Sequence, residues 1–119
     1  MESPFFSVLI PVYKNDSLDE FMLAIRSVTK DQTIKPSQIV ITIDGPLPSK
    51  LNDYVLDLEK EPLFNCVWSY VNNGLGIALN KGLEHCRYDI VARMDSDDVA
   101  YATRFEKQLK LIESNDLIS

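Results

Sequence analysis

Phe5 to Val12 is an apolar run interrupted by Ser7 and, near its end, by Pro11. Such a run reads as a strand covered on both faces. Ser17-Leu18-Asp19-Glu20 has the spacing of a capping box, in which a serine and a glutamate three residues on satisfy the free amides of a helix start. Leu18, Phe21, Met22, Ile25 and Val28 then recur at helical spacing. Gln38 to Ile43 forms a second apolar run, closed by the turn signal Asp44-Gly45-Pro46. Ser49 is placed to cap a helix carrying Leu51, Tyr54, Val55 and Leu58 on one face. A third strand is expected over Asn65–Val71, broken by Asn72-Asn73-Gly74. A helix over Gly76–Cys86 follows, with Ile77, Leu79 and Leu83 as its apolar candidates. Tyr88–Met94 reads as a fourth strand, and Thr103-Arg104-Phe105-Glu106 as a second capping box opening a helix with Phe105, Leu109 and Ile112.

Strand and helix thus alternate four times. That order predicts an α/β fold: an open, mostly parallel sheet with helices on both faces and right-handed crossovers. Ligands on such sheets bind beyond the carboxyl ends of the strands. Polar or acidic residues stand at three of those ends: Tyr13-Lys14-Asn15-Asp16, Asp44-Gly45 and Asp95 to Asp98.

A length of 119 residues predicts one domain. The net charge of -6 argues against a nucleic-acid partner, which Lys and Arg would have to neutralise. It still allows a small phosphate ligand held through a divalent cation. No apolar stretch approaches the roughly 20 residues needed to span a bilayer, and Met1-Glu2-Ser3-Pro4 lacks the basic start of a signal peptide. Two cysteines, Cys66 and Cys86, form neither a disulfide framework nor a zinc pattern. A reducing, cytoplasmic setting is expected.

The usual phosphate-binding loops are missing. There is no Walker loop, and no G-x-G-x-x-G follows the first strand. That strand ends instead in Pro11-Val12-Tyr13, where Tyr13 either stacks on a base or is an ordinary strand-end aromatic. Asp44 either accepts the imide N–H of a pyrimidine or caps its own turn. Asn72-Asn73-Gly74-Leu75-Gly76 either brings backbone amides to a phosphate or is a plain turn with a helix cap. Lys81 and Arg93 are candidate phosphate contacts. Asp95-Ser96-Asp97-Asp98 is more demanding, because three carboxylates in four residues repel one another and call for a cation or strong solvation. Oxygen ligands suit Mg²⁺ or Mn²⁺, with a diphosphate completing the shell; the alternative is an acidic loop capping the next helix. A calcium loop is excluded, because Val99 and Ala100 stand where a ligand and the turn glycine belong. No Cys/His or Ser/His pair supports nucleophilic catalysis.

Together these residues resemble the family 2 glycosyltransferases, inverting enzymes of the GT-A, Rossmann-like fold. Ser7 to Asn15 resembles the family's opening strand, Ile41 to Gly45 its second strand, and Asn73-Gly74-Leu75-Gly76 with Ala78, Asn80 and Gly82 its asparagine-glycine stretch. Arg93 to Asp98 resembles its D-x-D segment, and Arg104 to Gln108 the helix that follows. The resemblance implies a nucleotide site of Pro11, Val12, Tyr13, Asp44, Asn73, Gly74, Asp95 and Ser96, to which Lys81 adds the candidate phosphate contact. It implies a Mn²⁺ or Mg²⁺ site at Asp97, with Asp95 and Asp98. The donor would be a nucleotide-diphosphate sugar, with UDP or dTDP favoured through Asp44 and GDP allowed.

The resemblance further implies that residues 1–119 are the nucleotide-sugar-binding half of a truncated GT-A domain. The acceptor half, with the catalytic base and the site for a glycan or lipid-linked acceptor, would lie beyond Asp116-Leu117-Ile118-Ser119. Such a chain should bind donor and metal without transferring sugar alone. The expected role is bacterial surface polysaccharide or lipopolysaccharide synthesis, in the cytoplasm or peripherally at the inner face of the membrane. A sheet edge left open would suit a homo-oligomer. The rivals are a nucleotidyltransferase, which would show a basic Gly-rich loop after the first strand, a receiver-type signalling domain, with acids on its first and third strands, and a noncatalytic nucleotide-sugar-binding module.

Overall fold

The computed structural model describes residues 5–116. The opening Met1–Pro4 and the closing Leu117–Ser119 lie outside the described residues. Strands and helices alternate as β1 (Ser7–Tyr13), α1 (Leu18–Val28), β2 (Gln38–Asp44), α2 (Ser49–Glu59), β3 (Phe64–Ser69), α3 (Leu75–His85), β4 (Val91–Arg93) and α4 (Arg104–Asp116). The strands pair in the order β3-β2-β1-β4, every pairing parallel. The chain steps outward from β1 to β3, then crosses back to place β4 on the other side of β1. That reversal opens a crevice at the strands' carboxyl ends.

β1 is buried from Ser7 to Val12 and β2 along its whole length, as continuous apolar runs in a two-sided sheet should be. Val8, Ile10 and Val12, with Ile39, Ile41 and Ile43, form one core with α1, α2 and α4. Phe6 meets Phe105 edge-on at 4.9 Å within it. α3 covers the opposite face, so helices flank the sheet on both sides. The register pairs Tyr13 with Asp44, setting two expected site residues side by side.

Four local expectations change. β4 is shorter than Tyr88–Met94, because Arg93 pairs opposite Leu9 and only the Met94 N–H reaches on, to the Leu9 carbonyl at 3.0 Å. The chain then turns into the acidic segment while β1 continues to Tyr13. β3 starts at Phe64 and ends at Ser69, leaving Tyr70 and Val71 exposed. α2 is preceded by Pro48 rather than capped by Ser49, which is already helical; Pro48 makes no side-chain cap bond. Most instructive is α3, whose buried residues are Ala78 and Gly82 while Ile77 and Leu83 stay about half exposed (48% and 49%). Small residues let α3 lie close to the sheet. A Cβ on Gly82 would fall 2.5 Å from Thr42 Cγ2 and also overlap the end of Leu9.

α1 begins as expected, with the Glu20 N–H donating to Ser17 Oγ at 3.3 Å. α4 begins behind Thr103, whose carbonyl accepts the Lys107 N–H at 3.0 Å. No described helix is long and apolar enough to cross a membrane. Among the described residues β4 pairs on one side only, and Ile90, Ala92, Leu111 and Ile112 help line a groove of about 440 Å³ along its outer edge.

Candidate functional site

The carboxyl ends of β1, β2 and β4 converge on a cleft of about 560 Å³. β1 and the turn after it contribute Pro11, Val12, Tyr13 and Asp16, and β2 contributes Asp44. The β3–α3 connection and α3 contribute Asn72, Gly74, Leu75 and Ala78. Arg93, Asp95, Ser96 and Asp97 close the far wall. A larger groove of about 700 Å³ runs between α1 and α2, but it reaches toward Leu63 and Phe64 at the start of β3, away from these strand ends. The crevice at the topological switch is therefore the site that gathers the chemistry.

The structure brings Pro11, Val12, Tyr13, Asp44, Gly74, Asp95, Ser96 and Asp97 together in the cleft. Asn73 and Lys81 do not line it. The Lys81 ammonium donates to Ser69 Oγ at 2.8 Å, on the β3 side. Asp98 stands outside the lining but belongs to the acidic turn. Asp16, from the polar end of β1, and Asn72, from the Asn72–Gly76 stretch, also line the cleft. Asp16 has a local signal, since its carboxylate accepts the Tyr13 N–H at 2.9 Å, an aspartate-closed turn of the kind Asn15-Asp16-Ser17 suggests.

Asp44 does more than end a strand. It is buried (8% exposed), and its two oxygens accept the Asn73 N–H at 2.8 Å and the Gly74 N–H at 3.1 Å. The carboxylate therefore clamps the β3–α3 loop to β2. Two amides of the Asn72–Gly76 stretch, those of Asn73 and Gly74, are thus taken by Asp44. A carboxylate oxygen can accept more than one bond, so Asp44 keeps acceptor capacity facing the cleft. Gly74 adopts φ 94°, in the left-handed region where glycine is favoured.

The acidic segment forms a closed turn. The Asp98 N–H donates to the Asp95 carbonyl, and the Asp95 N–H to Asp98 Oδ2, both at 3.2 Å. One carboxylate oxygen from each of Asp95, Asp97 and Asp98 lies within 4.8 Å of the others, all three side chains being exposed. Arg93 reaches Asp95 at 3.4 Å, and Arg104 donates to the Arg93 carbonyl at 3.0 Å. The cleft lining holds Asp16, Asp44, Asp95 and Asp97 against the single cation Arg93. A diphosphate would enter this field only with added positive charge. The all-oxygen donor set fits Mg²⁺ or Mn²⁺.

The open parallel sheet, its reversal beside β1 and the cleft at that reversal define an α/β domain of the GT-A, Rossmann-like kind. Residues 7–119 match Glycosyl transferase family 2, and the chain belongs to that family. It is 38% identical over 116 residues to the amylovoran biosynthesis glycosyltransferase AmsE of Erwinia amylovora, covering 92% of this chain and 41% of the relative. It is 36% identical over 114 residues to the UDP-Gal:alpha-D-GlcNAc-diphosphoundecaprenol beta-1,3-galactosyltransferase of Escherichia coli, covering 96% and 41%. A crystal structure of S. aureus TarS 1-349 superposes with a TM-score of 0.77 at 19% identity, over 93% of this chain and 33% of that one; this likeness is one of fold. The chain thus spans about two-fifths of the length of these curated relatives.

Proposed function

We propose that this chain is the donor-binding half of a glycosyltransferase that moves a sugar from a nucleotide diphosphate to an acceptor hydroxyl with inversion. The carrying observation is the convergence of Pro11–Tyr13, Asp44 and Asp95–Asp97 on one cleft at the switch point of the sheet. Pro11, Val12 and Tyr13 form the wall for the base, with Tyr13 free to stack on it. Asp44 accepts from the base edge while holding the Asn73–Gly74 loop. An imide N–H matches that acceptor, which favours UDP or dTDP over GDP. Asp95 and Ser96 face the ribose and sugar.

Asp97, with Asp95 and Asp98, would hold Mn²⁺ or Mg²⁺. When bound, that ion supplies charge neutralisation for the diphosphate leaving group. Arg93 orients Asp95 through their ion pair. In the complete enzyme the acceptor oxygen forms its bond to the anomeric carbon as the bond to the diphosphate breaks on the opposite face. A carboxylate base takes the hydroxyl proton. The chain spans about two-fifths of its relatives' length, and we assign that base and the acceptor site to the part it does not span, so the isolated chain should bind donor without transferring sugar. The acceptor is a glycan or a lipid-linked glycan of a bacterial surface polysaccharide; the Erwinia amylovora relative is named for amylovoran biosynthesis and the Escherichia coli relative for a diphosphoundecaprenol-linked substrate. The protein acts in the cytoplasm or at the inner face of the membrane.

Melting shifts with UDP, dTDP and GDP, each with and without Mn²⁺, test this reading. A nucleotide at about 100 times its Kd stabilises by about 2.7 kcal/mol, a shift of several degrees. The proposal expects that shift for UDP or dTDP with Mn²⁺. No shift for any nucleotide with the metal present would defeat it.

A further inference from the structure

We infer that Gln32, supported by Ser27, is a positioning residue for the acidic turn, reaching it from the far end of α1. The inference rests on the donor-and-metal reading of that turn. Both side chains are only 2% exposed. A glutamine buried this deeply must spend its polar atoms on partners, and Gln32 spends them on the segment that follows Asp95–Asp98. Its amide nitrogen donates to the Tyr101 carbonyl at 2.6 Å and to the Ser27 carbonyl at 2.9 Å. Its amide oxygen accepts the Phe105 N–H at 3.3 Å. That N–H lies in the first turn of α4 and has no partner within its own helix. Gln32 therefore serves as an N-cap brought in from another part of the chain.

Two more bonds reinforce the contact. Ser27 Oγ accepts the Ala100 N–H at 3.0 Å, and the Thr33 N–H donates to the Ala102 carbonyl at 2.8 Å. The loop carrying the carboxylates is thus tied at both ends. At its start, Met94 bonds to Leu9 and Arg104 holds the Arg93 carbonyl. At its finish, the four bonds from Ser27, Gln32 and Thr33 fix residues 100–105. Between these anchors, Asp95, Asp97 and Asp98 are exposed, with Ser96 buried among them and the Asp95–Asp98 bonds closing the turn. Like-charged groups so close drift apart unless the backbone beneath them is fixed. Gln32 supplies that fixing without touching metal or nucleotide. Groups bonded directly to metal ligands change metal affinity about 10–100-fold when removed; Gln32 acts one step further out, through the backbone, so its loss should fall near the low end of that range.

The experiment compares wild type, Gln32→Met and the core variant Val55→Ala in the full chain, at a temperature where all three are folded. Gln32→Met keeps the side chain's length and removes its hydrogen bonds; Val55→Ala lowers stability from α2, away from the loop. Hydrogen exchange is followed at amides 96–102, and Mn²⁺ binding with UDP is read from the free Mn²⁺ electron-spin signal. In Gln32→Met the loop amides should exchange about tenfold faster or more, and Mn²⁺ with UDP should bind about tenfold more weakly or worse. Val55→Ala should match wild type in both. Unchanged loop exchange, faster exchange with unchanged Mn²⁺ affinity, or equal effects in Val55→Ala would each overturn the inference. If wild type binds no Mn²⁺ with UDP, the donor-site reading fails, and the inference fails with it as regards metal; loop exchange alone then decides whether Gln32 holds the turn. If Gln32→Met does not fold, Ser27→Ala takes its place, with faster exchange expected at Ala100 and a weaker effect on Mn²⁺.

Discussion

Alanine at Gly82 and alanine at Gly76 are the same substitution in the same helix, yet they should act in opposite directions. Removing a glycine from a helix gains roughly 0.5–1 kcal/mol in backbone entropy. At Gly76 a new Cβ meets nothing within 4 Å, so this gain should survive, reduced somewhat by its place in the first turn. At Gly82 the new Cβ would stand 2.5 Å from Thr42 Cγ2 and overlap the Leu9 side chain. Leu9 and Thr42 lie on the two central strands at 2% and 1% exposure, so neither can retreat into solvent. Leu9 can rotate its end, but a β-branched threonine has little rotamer freedom. Overpacking of this sort costs about 1–3 kcal/mol. Gly82→Ala should therefore destabilise by about 1 kcal/mol net, a fall in Tm of roughly 3–6 °C, while Gly76→Ala raises Tm slightly. Adding Thr42→Ser to Gly82→Ala should recover part of the loss, and urea melts of the cycle would measure that coupling. Equal stabilisation by both glycine replacements would show that α3 does not sit on the sheet through Gly82.

Three further outcomes follow from single contacts. Thr42 Oγ1 is buried with no hydrogen-bond partner, so Thr42→Val should raise stability by about 1 kcal/mol in a urea melt; a loss would mean the hydroxyl is satisfied. Asp44→Ala leaves the Asn73 and Gly74 amides without their acceptor and should cost about 2 kcal/mol or more, with faster exchange at those two amides; wild-type exchange there would remove the clamp. Burial, with the charge of Glu59 added, pushes the Cys66 thiol up to about 12 from 9.0. The unfolded thiol then loses its proton first as pH rises, so this contribution to stability is complete below pH 9 and disappears between about 9 and 12. At pH 8.5 Cys66 should react with a disulfide reagent at least about tenfold more slowly folded than unfolded; equal rates would contradict the burial.

The parts of the molecule legible in the sequence are those where side-chain pattern and environment agree. β1 and β2 are central strands, and their unbroken apolar runs say so. Ser17 caps α1 because an oxygen placed before a helix start has one obvious partner. α3 misleads because its buried face is made of Ala78 and Gly82, and periodicity counts large residues. β4 ends where the chain leaves β1 for the acidic turn, although β1 runs on to Tyr13, and no local pattern records that departure. At the site, most of the lining residues stand at strand ends, where topology alone would place them. Lys81 falls elsewhere because Ser69 claims it, a contact that spacing along the chain does not announce. Gln32 carries no signal at all in the sequence, since a glutamine between helix and strand looks solvated until its burial is seen.

The central claim is that Asp97 and its neighbours make nucleotide binding depend on a divalent cation. Calorimetric titration of UDP into wild type and Asp97→Ala, each with Mn²⁺ and with a chelator, tests it directly. Asp97 is exposed, so its replacement should leave Tm within about 1 °C of wild type. Wild type should bind UDP with Mn²⁺ and lose most of that affinity with the chelator, while Asp97→Ala should show only the weak, metal-independent remainder. Equal UDP affinity in the two proteins with Mn²⁺ present, or binding in wild type that ignores the chelator, would contradict the account.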